Sequence, residues 1–376
     1  MTANKNSHAR ETWIIKAGSS LITNHGQGLD QRFIANWANQ VVALRKRNIH
    51  CLLVSSGAVA EGLKRLGTTE RPRTLHELQA AAAVGQMGLI QSYEAQFQKH
   101  NIHTAQILLT HDDLANRQRY LNARNTLKSL LALNVIPVIN ENDSIAIDEI
   151  RFGDNDTLAA LTANLMDANR LILLTDQNGM YSSDPNLDKS ATLIKNRRAG
   201  DPELSKMAST GTPGKFGRGG MLTKVKAAER AARSGTLTII AGGKVDNILL
   251  DIADDKENTG TWLTPDNEPL TARKQWLAGH LQIKGNLILD DGAINALTMK
   301  GKSLLPIGIT HCNGDFKRGE AVACLDAAGN RLAQGLVNYN GDETRLIIGK
   351  SSEQIEQTLG YIDDTEIIHR DNLVLL

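Results

Sequence analysis

The stretch VIPVINENDSIAIDEIRFGDNDTLAA, residues 135–160, decides the fold class of this chain. Its opening, VIPVIN (135–140), is a short apolar run that does not alternate with polar residues. Such a run reads as a strand covered on both faces, as in parallel sheets flanked by helices. The remainder is the most polar strand-to-helix passage of the chain. Asn140, Glu141, Asn142 and Asp143 follow the strand directly, and Asp154, Asn155 and Asp156 stand where a helix is expected to begin. Aspartate is a natural helix cap, which accounts for one of these residues. It does not account for a set of carboxylates and amides on both sides of a short hairpin. Together they suit an amino-acid ligand: carboxylates take its ammonium group, and amides or backbone N–H groups take its carboxylate.

The same alternation extends in both directions. TWIIKAG (12–18), HCLLVSSG (50–57), IHTAQILLT (102–110), RLILLTD (170–176) and TLTIIAGG (236–243) read as further strands. Helical sequence lies between them, including LDQRFIANWANQVVALRKR (29–47), a segment running to Gly67 and another from Thr74 to Lys99. Strands interleaved with helices through residue 263 predict an α/β fold, a three-layer αβα sandwich around a mostly parallel sheet. Ligands of such sheets sit beyond the C-terminal ends of the strands. The chemically useful residues cluster there: Lys16, Gly18, Ser19 and Ser20; Ser55, Ser56 and Gly57; Asn140 to Asp143; Thr175 and Asp176.

GRGGMLTK (217–224) then gains a context, because its glycines precede a good helix and Lys224 falls one turn inside it. Converging backbone N–H groups beside a lysine suit a phosphate. It is not the common phosphate loop G-x-x-x-x-G-K-[ST]. Gly301-Lys302-Ser303 and Gly349-Lys350-Ser351 fail that pattern too, having Ala296 and Thr344 where its first glycine belongs. Taken singly, Lys16 also reads as a snorkelling lysine and 217–224 as a flexible loop before an ordinary helix. Two lysines, each beside a Gly-rich turn, favour an anion site.

The length of 376 residues exceeds one ordinary core and predicts two domains. The polar join TARKQWLAGH (271–280) marks a change of texture. It divides a domain at 11–271 from a small β-barrel-like domain at 278–376, with 272–277 as linker and 1–10 as a disordered lead-in. The runs LQIKGNLILDDG, SLLPIGITHC, AVACLDAAGNRLAQGLVNY, LIIGK and HRDNLVLL read as β-rich, with helical patches at 293–300 and 351–359. The chain is 41% apolar and 22% charged, with net charge +1 and no apolar run of membrane-spanning length. Three widely spaced cysteines fit a reducing cytoplasm better than a disulfide framework. His76-Glu77 starts an H-E-x-x-H pattern that Ala80 ends, and no Cys/His cluster has zinc spacing.

The combination resembles the amino acid kinase family, and within it the members that phosphorylate glutamate. The likeness is carried by KAGSS (16–20), SSGA (55–58), LNARNTL (121–127), VIPVINEND (135–143), GDND (153–156), LLTDQNGMY (173–181) and GGMLTK (219–224), in the family's order and spacing. SLLPIGI (303–309) and GLVNY (335–339) resemble the PUA domain that many of these members carry. The resemblance implies transfer of the γ-phosphoryl group of ATP to the side-chain carboxylate of L-glutamate, with Mg²⁺ on the ATP phosphates and few protein ligands to it. It implies catalytic roles for Lys16, Lys224 and Asp156. Glutamate would meet Ser56, Gly57, Asn140, Asp143, Asp154 and Asn155. The nucleotide would meet Lys16, Gly18, Ser19, Thr175, Asp176, Arg218, Gly219, Gly220, Met221, Leu222, Thr223 and Lys224. It further implies inhibition by L-proline, a cytoplasmic location and a homotetramer or dimer. Two rival readings are a family member acting on acetylglutamate, aspartate or a nucleoside monophosphate, and an RNA-binding protein. Residues 278–376 hold 9 Lys and Arg against 13 Asp and Glu, a net of −4 that disfavours nucleic acid.

Overall fold

The computed structural model describes residues 10–23, 28–68, 70–146, 155–185, 187–209, 220–256, 259–265 and 282–376. Residues 1–9 of the expected lead-in at 1–10 and the linker at 272–277 lie outside these residues, as does most of the hairpin between Asp143 and Asn155. The chain divides into two compact units, residues 1–114 with 123–269, and residues 115–122 with 270–376.

The first unit is built on one eight-stranded sheet: β1 Glu11–Ala17, β2 Ile49–Ser55, β3 Thr104–Leu109, β4 Ile136–Glu141, β5 Arg170–Thr175, β6 Asn196–Arg198, β7 Leu237–Gly242 and β8 Thr261–Thr264. Their order across the sheet is β3-β4-β2-β1-β5-β7-β8-β6. All neighbours from β3 to β7 pair in parallel; β8 runs antiparallel to β7 and parallel to β6. The strands expected from the sequence are present, while β6 and β8 were not anticipated. Their brevity explains this: β6 is three exposed residues, Asn-Arg-Arg, held by backbone pairing and marked by no apolar run.

The period of two along β1 fixes the layers. Trp13, Ile15 and Ala17 join one hydrophobic cluster with Ile34, Trp37, Val41 and Leu89 from the helices Gln31–Lys46 and Leu75–Phe97. Lys16 therefore projects to the other face, which the helices Asn155–Met166 and Met221–Ala232 cover. The helix Gln31–Lys46 starts where Asp30 accepts a hydrogen bond from the Arg32 N–H at 2.9 Å, and Arg45 and Lys46 occupy its last turn. Both features satisfy or complement the helix ends. All three cysteines are buried, and burial pushes the Cys51 and Cys324 thiols up to about 12, so both behave as core residues.

The helices Ala58–Arg65 and Leu75–Phe97 meet backbone to backbone. A Cβ on Gly85 would sit 1.8 Å from the Ala58 carbonyl oxygen, and one on Gly62 would sit 1.7 Å from that of Ala81. Helix propensity favours alanine over glycine by about 1 kcal/mol. Overpacking costs about 1–3 kcal/mol, sometimes more, and backbone atoms cannot rotate aside as a side chain can. The clash should win. Gly85→Ala is expected to lower Tm by several degrees, and an unchanged or raised Tm in thermal unfolding would contradict this packing.

The second unit carries a five-stranded sheet ordered β10-β9-β11-β12-β13, formed by β9 Ile283–Leu289, β10 Ile309–Gly314, β11 Ala321–Leu325, β12 Arg331–Leu336 and β13 Leu373–Leu375. β9 and β11 are parallel, and the other pairs antiparallel. Leu287, Leu289, Ile309, Val322, Val337, Tyr339 and Ile355 pack its core. DAAGNR forms the turn between β11 and β12, with Gly329 at φ +87°. One expectation is corrected: LIIGK is not a strand. Its start belongs to the helix Gly341–Ile347, which Asn340 and Glu343 nucleate through a reciprocal capping box.

Candidate active site

β1 lies between β2 and β5 at the point where the strand order reverses, so the C-terminal ends of β1, β2, β4 and β5 face a common region. Two helices begin there, at Asn155 and Met221. Each presents first-turn N–H groups and the positive end of its dipole.

Three charged side chains meet at this point with almost no exposure to solvent. Lys16 Nζ lies 2.7 Å from Asp156 Oδ1, and Lys224 Nζ lies 3.1 Å from Asp156 Oδ2. The Thr223 hydroxyl is 2.7 Å from Asp156 Oδ2 and equally near the Gly220 carbonyl oxygen, tying the start of one helix to that of the other. Asp156 is completely buried, Lys16 is 4% exposed and Lys224 5%. Burial works against the ionised carboxylate of Asp156. The Lys16 and Lys224 ammonium groups and the Thr223 hydroxyl outweigh it and hold the group well below the usual carboxylate range. Burial also lowers the pKa of Lys224, and the Lys16 charge adds to that, against the attraction of Asp156. The triad itself carries one net positive charge in a poorly solvated place, an arrangement that an anion completes.

The described residues leave room around the triad. A Cβ on Gly220 would meet none of their atoms within 4 Å. A Cβ on Gly18 would come within 4.0 Å of Lys16 Nζ, so a side chain there would enter the triad's surroundings. Gly18 also caps the one-turn helix Ser19–Ile22, and the Ser19 carbonyl oxygen accepts from the Thr23 N–H and hydroxyl. Thr175 and the exposed Asp176 close β5, with 3.1 Å between the Thr175 hydroxyl and Asp176 Oδ1. The Asp176 charge bears on Lys224. Met221 and Leu222 are half-buried in the first turn of their helix.

A second polar group adjoins the first through the Asn155–Asp156 peptide. Asn155 Nδ2 donates to Ser56 Oγ at 2.9 Å and to Asn140 Oδ1 at 3.0 Å, and lies 3.3 Å from the Ser55 carbonyl oxygen. Asn140 Nδ2 in turn donates to Gln86 Oε1 at 2.8 Å. Ser55 Oγ is 3.1 Å from the hydroxyl of buried Tyr93. Asp143 is 5% exposed just beyond Asn140. Gly57 has φ +104°, which turns β2 into the helix Ala58–Arg65 and which only glycine adopts readily.

The structure thus joins Lys16, Asp156, Thr223 and Lys224 in one cluster and Ser56, Asn140 and Asn155 in another. Asp154, Arg218 and Gly219 lie outside the described residues. Sequence reading missed Gln86 and Tyr93, both from the helix Leu75–Phe97. Gln86 had a signal: it is a polar residue on the face that also buries Ala82 and Leu89.

The chain is similar to known proteins over nearly its whole length. Residues 11–242 match the amino acid kinase family and residues 285–359 the PUA domain. A glutamate 5-kinase of Nitrosospira multiformis is 58% identical over 363 residues, 96% of this chain and 97% of that protein. One of Thioalkalivibrio sulfidiphilus is 59% identical, covering 97% of this chain and 96% of its own. Among solved structures, a carbamate kinase from Giardia lamblia bound to AMP-PNP shares the fold of the first unit. Its TM-score is 0.50 at 15% identity, over 69% of this chain and 99% of that one. Sheet order, residue pattern and relatives agree: this chain belongs to the amino acid kinase family.

Proposed function

We propose that this protein transfers the γ-phosphoryl group of ATP to the side-chain carboxylate of L-glutamate, giving L-glutamyl 5-phosphate and ADP. The observation that carries this reading is the buried Lys16–Asp156–Lys224 triad, with net positive charge, covalently adjacent to the Ser56–Asn155–Asn140 network. The near full-length relatives named glutamate 5-kinase support the choice of acceptor.

The chemical difficulty is repulsion between an anionic carboxylate and an anionic phosphate. A carboxylate oxygen forms the new bond to the γ-phosphorus, and the bond to the β,γ-bridging oxygen breaks, leaving its electron pair on ADP. No base is needed, because the acceptor is already ionised at neutral pH. Catalysis then rests on position and charge. Lys16 and Lys224 neutralise the transferring group, and Asp156 holds both ammonium groups in place. Gly18 and Ser19, Thr175 and Asp176, and the run from Gly220 through Thr223 form the nucleotide side, joined in this reading by Arg218 and Gly219. Ser56, Gly57, Asn140, Asp143 and Asn155 form the glutamate side, joined by Asp154.

Mg²⁺ would supply further neutralisation of the phosphates. Among the described residues no three His, Cys, Asp or Glu side chains gather as a metal cage, and Asp156 is taken up by the two lysines. The cation therefore fits best as a rider on ATP. No helix among the described residues is long and apolar enough to cross a membrane, and in this reading the enzyme works in the cytoplasm as a homo-oligomer, tetramer or dimer. Glutamate phosphorylation would be the first step of proline synthesis, and L-proline, the end product, shares the ammonium-type nitrogen and carboxylate of glutamate and would compete for the same pocket.

The test is hydroxylamine trapping of the acyl phosphate in the presence of L-glutamate, ATP and Mg²⁺. Hydroxamate should form only with all three, and added proline should inhibit in a way that excess glutamate overcomes. Faster turnover of acetylglutamate, aspartate or a nucleoside monophosphate would overturn the choice of acceptor. Asp143→Ala and Asn155→Ala should each raise KM for glutamate by roughly tenfold or more, the scale of one hydrogen bond to a charged group. KM for ATP should stay within about threefold of its normal value, and the reverse pattern in initial-rate kinetics would exchange the two halves of the site.

A further inference from the structure

Gln86 is buried in the middle of the helix Leu75–Phe97, 7% exposed, on the face that turns Gln79 and Ala82 toward the segment after β4. Its amide is half used. Oε1 accepts the hydrogen bond from Asn140, which fixes Nε2 as the free end, and Nε2 has no acceptor among the described residues. An amide N–H left unpaired in a protein interior costs about 1–3 kcal/mol, so such a group calls for an explanation. The side chain forms part of the wall of a depression shared with Glu141, Asp143 and Ser144. One amide donor beside two carboxylates is complementary to the zwitterionic end of an amino acid: the carboxylates suit its ammonium, and only the donor suits its carboxylate.

Position along the network says which carboxylate. The triad that would receive the transferring group includes Asp156. From there the chain of groups runs outward through Asn155 and Asn140, and Gln86 is the far member. A glutamate with its side-chain carboxylate at the triad would extend its other end toward Gln86. We infer that the Gln86 Nε2–H reads the α-carboxylate of the acceptor amino acid, making Gln86 a specificity-determining residue of the glutamate pocket. This rests on the glutamate reading above.

The experiment compares kcat/KM for L-glutamate with that for its α-amide, in which the negative charge is lost and one of the two acceptor oxygens becomes an N–H donor. The wild-type enzyme should prefer glutamate by on the order of tenfold or more, since a hydrogen bond to an ionised carboxylate is roughly twice as strong as one to a neutral amide oxygen. Gln86→Glu keeps the acceptor for Asn140 and replaces the free donor with an acceptor. It should shrink that preference by at least tenfold, because the substrate amide can now donate to it. Gln86→Met, neutral and of similar length, should shrink it toward indifference. KM for ATP should be unchanged in both. Equal losses on both substrates, leaving the ratio at its wild-type value, would overturn the inference and reduce Gln86 to a prop for Asn140. Failure of both variants to fold would overturn it equally. A wild-type enzyme inactive on L-glutamate would instead sink the proposed function. The ratio could then still be measured with whichever amino acid the enzyme accepts, against the α-amide of that compound.

Discussion

Replacing Lys224 by alanine is expected to lower kcat by about 10²- to 10³-fold, the usual consequence of removing one preorganised electrostatic donor. Lys16→Ala should do the same. The stability effect should go the other way. The native triad holds two buried ammonium groups and one carboxylate, and burial already lowers the pKa of Lys224. Without Lys224 a neutral Lys16–Asp156 pair remains at 2.7 Å, with no uncompensated charge inside the triad. The variant should therefore keep or slightly raise its Tm while losing its turnover, as expected where charge is stored for function. Lys224→Arg should not restore the rate, because a planar fork does not replace a compact ammonium in a tight site. The measurements are kcat at saturating ATP and glutamate, and thermal unfolding of the same preparations. Near-normal turnover in either alanine variant would remove that lysine from the reaction.

The second large effect is expected at Asp156. Asp156→Asn leaves two buried cations with no counter-charge between them. Breaking a buried pair in this way costs about 3–5 kcal/mol, and turnover should fall with the lost alignment of both lysines. The pH dependence distinguishes this cause from a general packing defect. In the variant Lys224 loses the attraction of Asp156 that opposes its burial, so it should titrate below its ordinary range when folded, and at alkaline pH the unfolded chain binds more protons. Stability then rises with pH, and the deficit against wild type should be smaller at pH 9 than at pH 6. The wild-type carboxylate gives the opposite limb. Its folded pKa is depressed from 3.8. Its contribution is complete above that value and is lost as the pH falls from about 4 toward the depressed native value. Urea unfolding across this range reads both limbs. A deficit that does not change between pH 6 and 9 would show that the triad is not held by charge.

The sequence by itself determined the layered α/β fold, because buried parallel strands leave a local mark: continuous apolar runs with polar residues at their ends. It also marked most of the candidate site, since Lys16, Ser56, Asn140 and Thr175 stand directly after such runs and Asn155, Asp156 and Lys224 at helix starts. Local patterns carry no information where no side chain is buried, so the edge strand Asn196–Arg198 left no trace, and the apolar residues of LIIGK did not disclose the capped helix in which they begin. Tertiary structure alone decided who meets whom. Lys224 and Asp156 are separated by 68 residues, yet both side chains lie on one carboxylate–ammonium contact, and no spacing rule connects them. The same holds for Gln86. Its helix is brought to the site by the close approach of Gly62 and Gly85 to a neighbouring backbone, and only there does half of its amide become a donor without an acceptor among the described residues. Periodicity is set by neighbours along the chain and can be read from it. Charge compensation and hydrogen-bond satisfaction are set by neighbours in space, which exist only once the sheet has been ordered and the helices packed on it.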